Sequence, residues 1–251
     1  MLVYARTHLT LLFRDPNLLA PLAVLPLYCV VFFTVLRHHH HEELATQTAI
    51  GAFLMSMWAH AVFVAAEVVD DDRHEGTLEP SMLTPGAYTA ALSVRVFSTT
   101  ALAIPVLAEA LLIARFAFGF PVTLGSVPLS LVTVVLTTVG VAGAALLVSC
   151  LMVLVRGART LQNALTYPVY LLGGLILPAS TLPEPLRWIA RGFFLSWSAD
   201  VLRALQVAGA PAPLGSLGVL TVLVAAQVLV GFLALRRVLT TVRAGGVSLY
   251  D

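Results

Sequence analysis

The chain has 251 residues, 59% of them apolar and 11% charged, with a mean hydropathy of +0.94 and a net charge of +1. A soluble domain of that length needs far more polar surface than this, and so small a net charge excludes the basic footprint of a nucleic-acid binder. Every lysine-or-arginine position is arginine; without lysine there is no Gly-Lys-Ser/Thr phosphate loop, so any ATP used with this protein is bound by another chain.

In chain order, residues 1–17 mix apolar side chains with Arg6, His8 and Arg14 and end at Asp15-Pro16. They predict an interfacial helix with its arginines among lipid headgroups. The apolar run that follows is of spanning length and carries no small-x-small cleavage site, so it reads as a retained first helix and not as a signal peptide. A hydrocarbon core roughly 30 Å thick needs about 20 apolar residues to cross it. Stretches of that kind predict six spans, at 18–36, 49–69, 88–115, 128–155, 161–177 and 214–235. Cys29 and Cys150 fall inside apolar stretches, lack CxxC or metal-site spacing, and read as packing residues.

Between the first two spans lies His38-His39-His40-His41-Glu42-Glu43. Imidazoles and carboxylates are metal ligands, but contiguous histidines are not the i, i+4 arrangement of a built site; no metal site is expected. Between the second and third spans, residues 70–86 form a charged hairpin. Asp72 with Glu75 three residues on has the pattern of an N-cap and its N3 acid, Asp70 and Asp71 suit a helix N-terminus, and Thr84-Pro85-Gly86 stops a helix. The pattern predicts a short helix of about three turns lying across the membrane face. Gly76 inside it costs about 1 kcal/mol relative to alanine, which is reasonable where another backbone must approach.

The third span carries Pro105, which a membrane helix tolerates as a kink. The fourth has Gly140-x-x-Gly143, which predicts close helix packing. The fifth carries Pro168, Gly173 and Gly174. Residues 178–213 are apolar but broken by prolines and charges, and read as an outer re-entrant region shielded by protein. Its Trp188, Phe193, Phe194 and Trp197 among Arg187, Arg191 and Arg203 have the composition of an interfacial belt. With both termini inside, nine arginines (Arg6, Arg14, Arg73, Arg95, Arg156, Arg159, Arg236, Arg237, Arg243) face the cytoplasm and five face out. The positive-inside rule therefore favours a cytoplasmic hairpin. Polar residues within spans are costly and candidate functional groups: His60, Glu67 and Glu109 are the candidates for a translocation pathway. Each has a structural alternative: an interhelical hydrogen bond for His60, a snorkelling or interfacial position for Glu67, pairing with Arg115 or an outer-loop arginine for Glu109.

The run Asp72-Arg73-x-x-Gly76-Thr77-Leu78-Glu79-x-x-x-Leu83-Thr84-Pro85 resembles the signature of ABC-2 type transporter permeases. Arg95 stands where many members carry a basic residue. Downstream, Gly173-Gly174-Leu175-Ile176-Leu177-Pro178-x-Ser180-x-Leu182-Pro183-x-x-Leu186-Arg187-Trp188 with Asp200-x-x-Arg203 is similar to the fifth helix and outer loop of the drug-resistance, daunorubicin-exporter-like branch. The two matches are about a hundred residues apart, and the resemblance covers essentially the whole chain. His74-Glu75 and Phe194 depart from the usual pattern. The resemblance implies an all-α integral membrane subunit of an exporter, not itself an enzyme, in the cell membrane. It implies two ABC ATPase subunits carrying ATP and magnesium, and a second permease, either a copy or a sister chain. It implies a cytoplasmic coupling helix in which Asp72, Arg73, Glu75, Gly76, Thr77, Leu78 and Glu79 contact the ATPase. A pathway between two permeases, for an amphipathic drug, lipid or glycolipid, would be covered by an outer gate of Pro178, Leu182, Trp188, Phe193 and Phe194. A haem-exporter-like permease has a similar hairpin, but the outer Leu-Pro…Leu-Arg-Trp segment argues against it. An intramembrane enzyme or metal-handling protein would need His60 and Glu109 to face one cavity.

Overall fold

A computed structural model describes residues 16–66, 68–69, 72, 75–77, 80, 87–120, 122, 125–154, 158–176, 179–206 and 211–243. The candidate residues Glu67, Arg73, Leu78, Glu79 and Pro178, and the interfacial segment before Pro16, lie outside the described residues. Among those described, the regular elements are helices. They are α1 (Pro16–His38), α2 (Ala45–His60), α3 (Ala87–Ala101), α4 (Val106–Leu112), α5 (Val127–Leu154), α6 (Ala158–Leu172), α7 (Glu184–Arg191), α8 (Phe194–Ala204) and α9 (Leu214–Arg243). Two π-helical turns, Ala61–Ala65 after α2 and Ile113–Ala117 after α4, extend their helices.

Among the described residues, three stretches are long and apolar enough to cross a bilayer: Tyr88–Ala117, Val127–Val153 and Leu214–Thr241. The first contains α3 and α4. Its helix loosens into turns at 102–105 just ahead of Pro105, because proline offers no N–H and its ring crowds the preceding turn. Helix α6 is the shortest of the expected spans at 15 residues, about 22 Å of rise. It ends where the sequence-based span continues, because Gly174 adopts φ 67°. The N–H of Gly174 donates to the carbonyl of Leu171 and that of Leu175 to Tyr170, the paired bonds that close a helix on a left-handed glycine.

The core is built by close approach of small residues. A Cβ on Gly143 would lie 3.0 Å from the Val228 backbone, and one on Gly231 would lie 2.5 Å from the Gly143 carbonyl. So α5 and α9 touch backbone to backbone, as the Gly140-x-x-Gly143 pattern predicts. Gly140 makes a second notch, which the ring of Phe194 fills. Four hydroxyls inside the bundle are satisfied locally: those of Thr133, Thr137, Thr138 and Ser149 each donate to the carbonyl four residues back. That backbonding is how a helix carries hydroxyls at membrane depth without unpaired donors.

Candidate functional site

Two ends of the bundle carry the sequence-predicted residues. At the hairpin end, Val68, Val69 and Asp72 are helical and the backbone turns at Glu75-Gly76. Gly76 has φ 69°, and the Thr77 N–H donates to the Asp72 carbonyl at 2.9 Å. This six-to-one bond around a left-handed glycine closes a helix C-terminus. It corrects the expectation that Asp72 caps the start of a new helix with Gly76 in its interior. The D-x-x-E spacing occurs equally well toward the end of a helix, and the local pattern does not tell the two cases apart. Nothing lies within 4 Å of the position a Gly76 Cβ would take, so within this chain the glycine answers a backbone conformation and not a close contact.

Asp72 has another task. Its carboxylate is buried and accepts from Nη1 of Arg95 on α3 at 2.7 Å. The ion pair fastens the end of the second span to the start of the third. Beyond it Glu75, Gly76 and Thr77 are exposed, so a partner can reach them while their base is anchored.

Midway along the bundle, His60 is buried and its Nε2 lies 2.9 Å from the Thr99 carbonyl. A carbonyl only accepts, so Nε2 carries the hydrogen and Nδ1 is left bare, without a hydrogen-bond partner. Next to it, in the π turn, the Val62 carbonyl accepts from Nε2 of Gln162 on α6 at 2.8 Å. A π turn frees carbonyls from their helical partners, and a side-chain amide takes one of them here. His60 is thus the interhelical hydrogen bond of its structural alternative. Glu109 is half-buried on α4, and Arg115, its expected partner, is exposed. Among the described residues no ion pair holds Glu109, and no hydrogen bond joins it to His60. Nor does any group of three His, Cys, Asp or Glu gather as metal ligands among the described residues. In the loop, His41 pairs with Glu43 at 3.1 Å; this contact and the bond to its own backbone N–H hold the Glu43 carboxyl below its usual range, the backbone bond contributing most.

The residues expected to form a gate divide. Leu182 packs with Ala179 and Ala190 in a small satellite core between α7 and the turn before it. Phe194 is buried in the Gly140 notch, and beside it the hydroxyls of Thr137 and Ser198 lie 2.9 Å apart, so α8 packs closely on α5. Phe193 is half-buried, and Trp188 is 68% exposed with the Arg191 guanidinium 5.8 Å from its ring centroid. None of these borders the cavity between α1, α2 and α6 described below. The residue that does is Arg203 on α8. Its Nη2 donates to the Gly174 carbonyl at 2.7 Å, on the turn that ends α6, where carbonyls at a helix C-terminus attract a cation. The Asp200-x-x-Arg203 spacing placed Arg203 on one helix face, but its partner 29 residues upstream is a tertiary contact that no local pattern contains. Burial pushes the Asp200 carboxyl up and the Arg203 guanidinium down from their ordinary values, and their mutual attraction opposes both shifts.

Arg203 borders a cavity of about 320 Å³ that also has Phe32 of α1, Gln47, Thr48 and Met55 of α2, and Ile176 after α6 on its walls. Gly51 makes the close approach here, since a Cβ on it would meet the Leu175 carbonyl at 2.6 Å.

No curated protein matches the chain. The family model described as ABC-2 type transporter matches residues 1–207, a stretch that contains the hairpin, the Asp72–Arg95 pair and the Arg203 cavity. With more than three quarters of its length in that match, the chain belongs to the ABC-2 type transporter family, whose members are membrane permease components of ABC transporters and work with ABC ATPase partners.

Proposed function

We propose that this chain is the permease subunit of an ATP-driven exporter, in the drug-resistance branch, moving an amphipathic drug, lipid or glycolipid across the cell membrane. It crosses the membrane six times with both termini cytoplasmic, pairs with a second permease, and engages two ATPase subunits that hold ATP and magnesium. The observation that carries the reading is the anchored hairpin: an exposed Glu75-Gly76-Thr77 turn whose base is clamped to the third span by a buried ion pair. Force applied to such a turn is delivered to α3, because a buried charge pair resists separation. A loose loop would absorb it. Arg73, Leu78 and Glu79 complete the coupling surface in this reading. His60, Glu67 and Glu109 act along the pathway, and Pro178, Leu182, Trp188, Phe193 and Phe194 cover its outer end.

The test is co-purification with the candidate ATPase, comparing the native chain with the Glu75→Arg/Glu79→Arg double variant. The variant is expected to lose the stable complex and uncouple transport from ATP hydrolysis. An unchanged complex with unchanged transport would sink the coupling role of this hairpin.

A further inference from the structure

The cavity beside Arg203 has an amphipathic lining. Phe32, Met55 and Ile176 give it apolar walls, Gln47 and Thr48 supply hydrogen-bonding side chains, and Arg203 is the one charged side chain among the described lining residues. A space of about 320 Å³ is enough for a small ligand. The state of Arg203 decides which charge that ligand carries. Nη2 is held by the Gly174 carbonyl, while Nε and Nη1 have no hydrogen-bond partner. Asp200 stands 3.9 Å from Nη1, and its side chain is 50% exposed while that of Arg203 is only 13% exposed. Solvent therefore screens the carboxylate more than the guanidinium, and a buried positive charge on the cavity wall is left partly uncompensated. Such a charge is costly. A cation entering the cavity adds to the cost, and an anion relieves it at Coulombic range without needing to displace the Gly174 bond. The apolar walls, in turn, suit a hydrocarbon body.

We infer that this cavity holds an anionic amphiphile, with its headgroup toward Arg203 and its apolar body along Phe32, Met55 and Ile176. The inference deepens the transport reading by giving the cargo a charge, and it rests on that reading for its meaning. The binding itself requires no ATPase.

The experiment uses the full chain with its ATPase partner in vesicles, photolabelled with a diazirine-bearing decanoic acid, its methyl ester, and the matching decylamine. Labelled peptides are mapped by mass spectrometry. The acid is expected to label peptides containing Met55 or Ile176 about tenfold more than the ester or the amine, the scale of one charge-assisted contact. Arg203→Gln is expected to bring that ratio below about two, and Arg203→Lys to keep most of it. Equal labelling by acid and ester on the native chain overturns the inference, a comparison that needs no variant and so survives a misfolding Arg203→Gln. Ala52→Phe, which fills the cavity, should abolish labelling by all three probes; persistent labelling would mean that the cavity is not the site. Competition by phosphatidylglycerol assigns the natural ligand to the bilayer, and competition by free decanoate alone assigns it to a single-chain cargo. Co-elution of the ATPase is read on the same preparation, so loss of charge preference in an intact complex overturns only this inference.

Discussion

Asp72 and Arg95 show how one pair of side chains can organise a membrane protein's exposed end. Removing the arginine strands a carboxylate in a buried site, which costs about 3 kcal/mol, whereas neutralising the acid leaves an arginine long enough to reach solvent. Arg95→Met should therefore lower the thermal unfolding midpoint of the purified chain well below that of Asp72→Asn, and Asp72→Leu/Arg95→Leu should recover most of the loss. Midpoints for Arg95→Met equal to the native one would remove the structural role of the pair. Both residues stand out in the sequence, one in the hairpin motif and one at the start of a span. Their contact does not, because it joins positions 23 apart on separate helices, and local patterns are silent on that. Gly76 illustrates the same boundary: an interior glycine and a helix-closing glycine look alike until the backbone angle is known.

Among the elements, the pairing of α5 with α9 was fully legible on the α5 side, since small residues four positions or fewer apart mark a face where backbones meet. Its counterpart Gly231, with only Ala234 as a small neighbour, is a weaker signal in the sequence, yet it sits under tighter constraint than Gly143. Gly231→Ala pushes a methyl group into the Gly143 carbonyl, and overpacking of this kind costs about 2 kcal/mol. Gly215→Ala, on the same helix with nothing within 4 Å of its Cβ, should be neutral or slightly stabilising. Thermal unfolding of the two variants side by side checks the contrast, and similar midpoints would mean that the helices separate readily. The ends of elements were less legible. Hydropathy continues past Leu172 into Leu175-Ile176-Leu177, so composition extends the fifth span where a left-handed glycine stops it. The π turns leave no trace in composition at all.

For the molecule as a whole, all-helical membrane character followed from hydropathy and is what the structure shows, with three stretches of full spanning length among the described residues. The direction of the chain through the bilayer is open to a chemical test that the native sequence makes clean. Cys29 and Cys150 are free and buried, so a membrane-impermeant maleimide meets little background. Thr77→Cys should label only in inside-out vesicles and Glu184→Cys only in right-side-out ones. Labelling of both from the same side would refute the proposed topology. How far the π turn at Ala61–Ala65 matters becomes plain when direction is counted in degrees. Each residue of an α-helix advances about 100° around its axis, and a π turn holds the surplus of about one residue inserted into an otherwise regular helix. Downstream of that surplus, the described helical residues Val68, Val69 and Asp72 take a new compass bearing. The bearing of Asp72 is the one that faces Arg95, so an angular offset introduced beside His60, deep in the bundle, aims the hairpin that stands outside it.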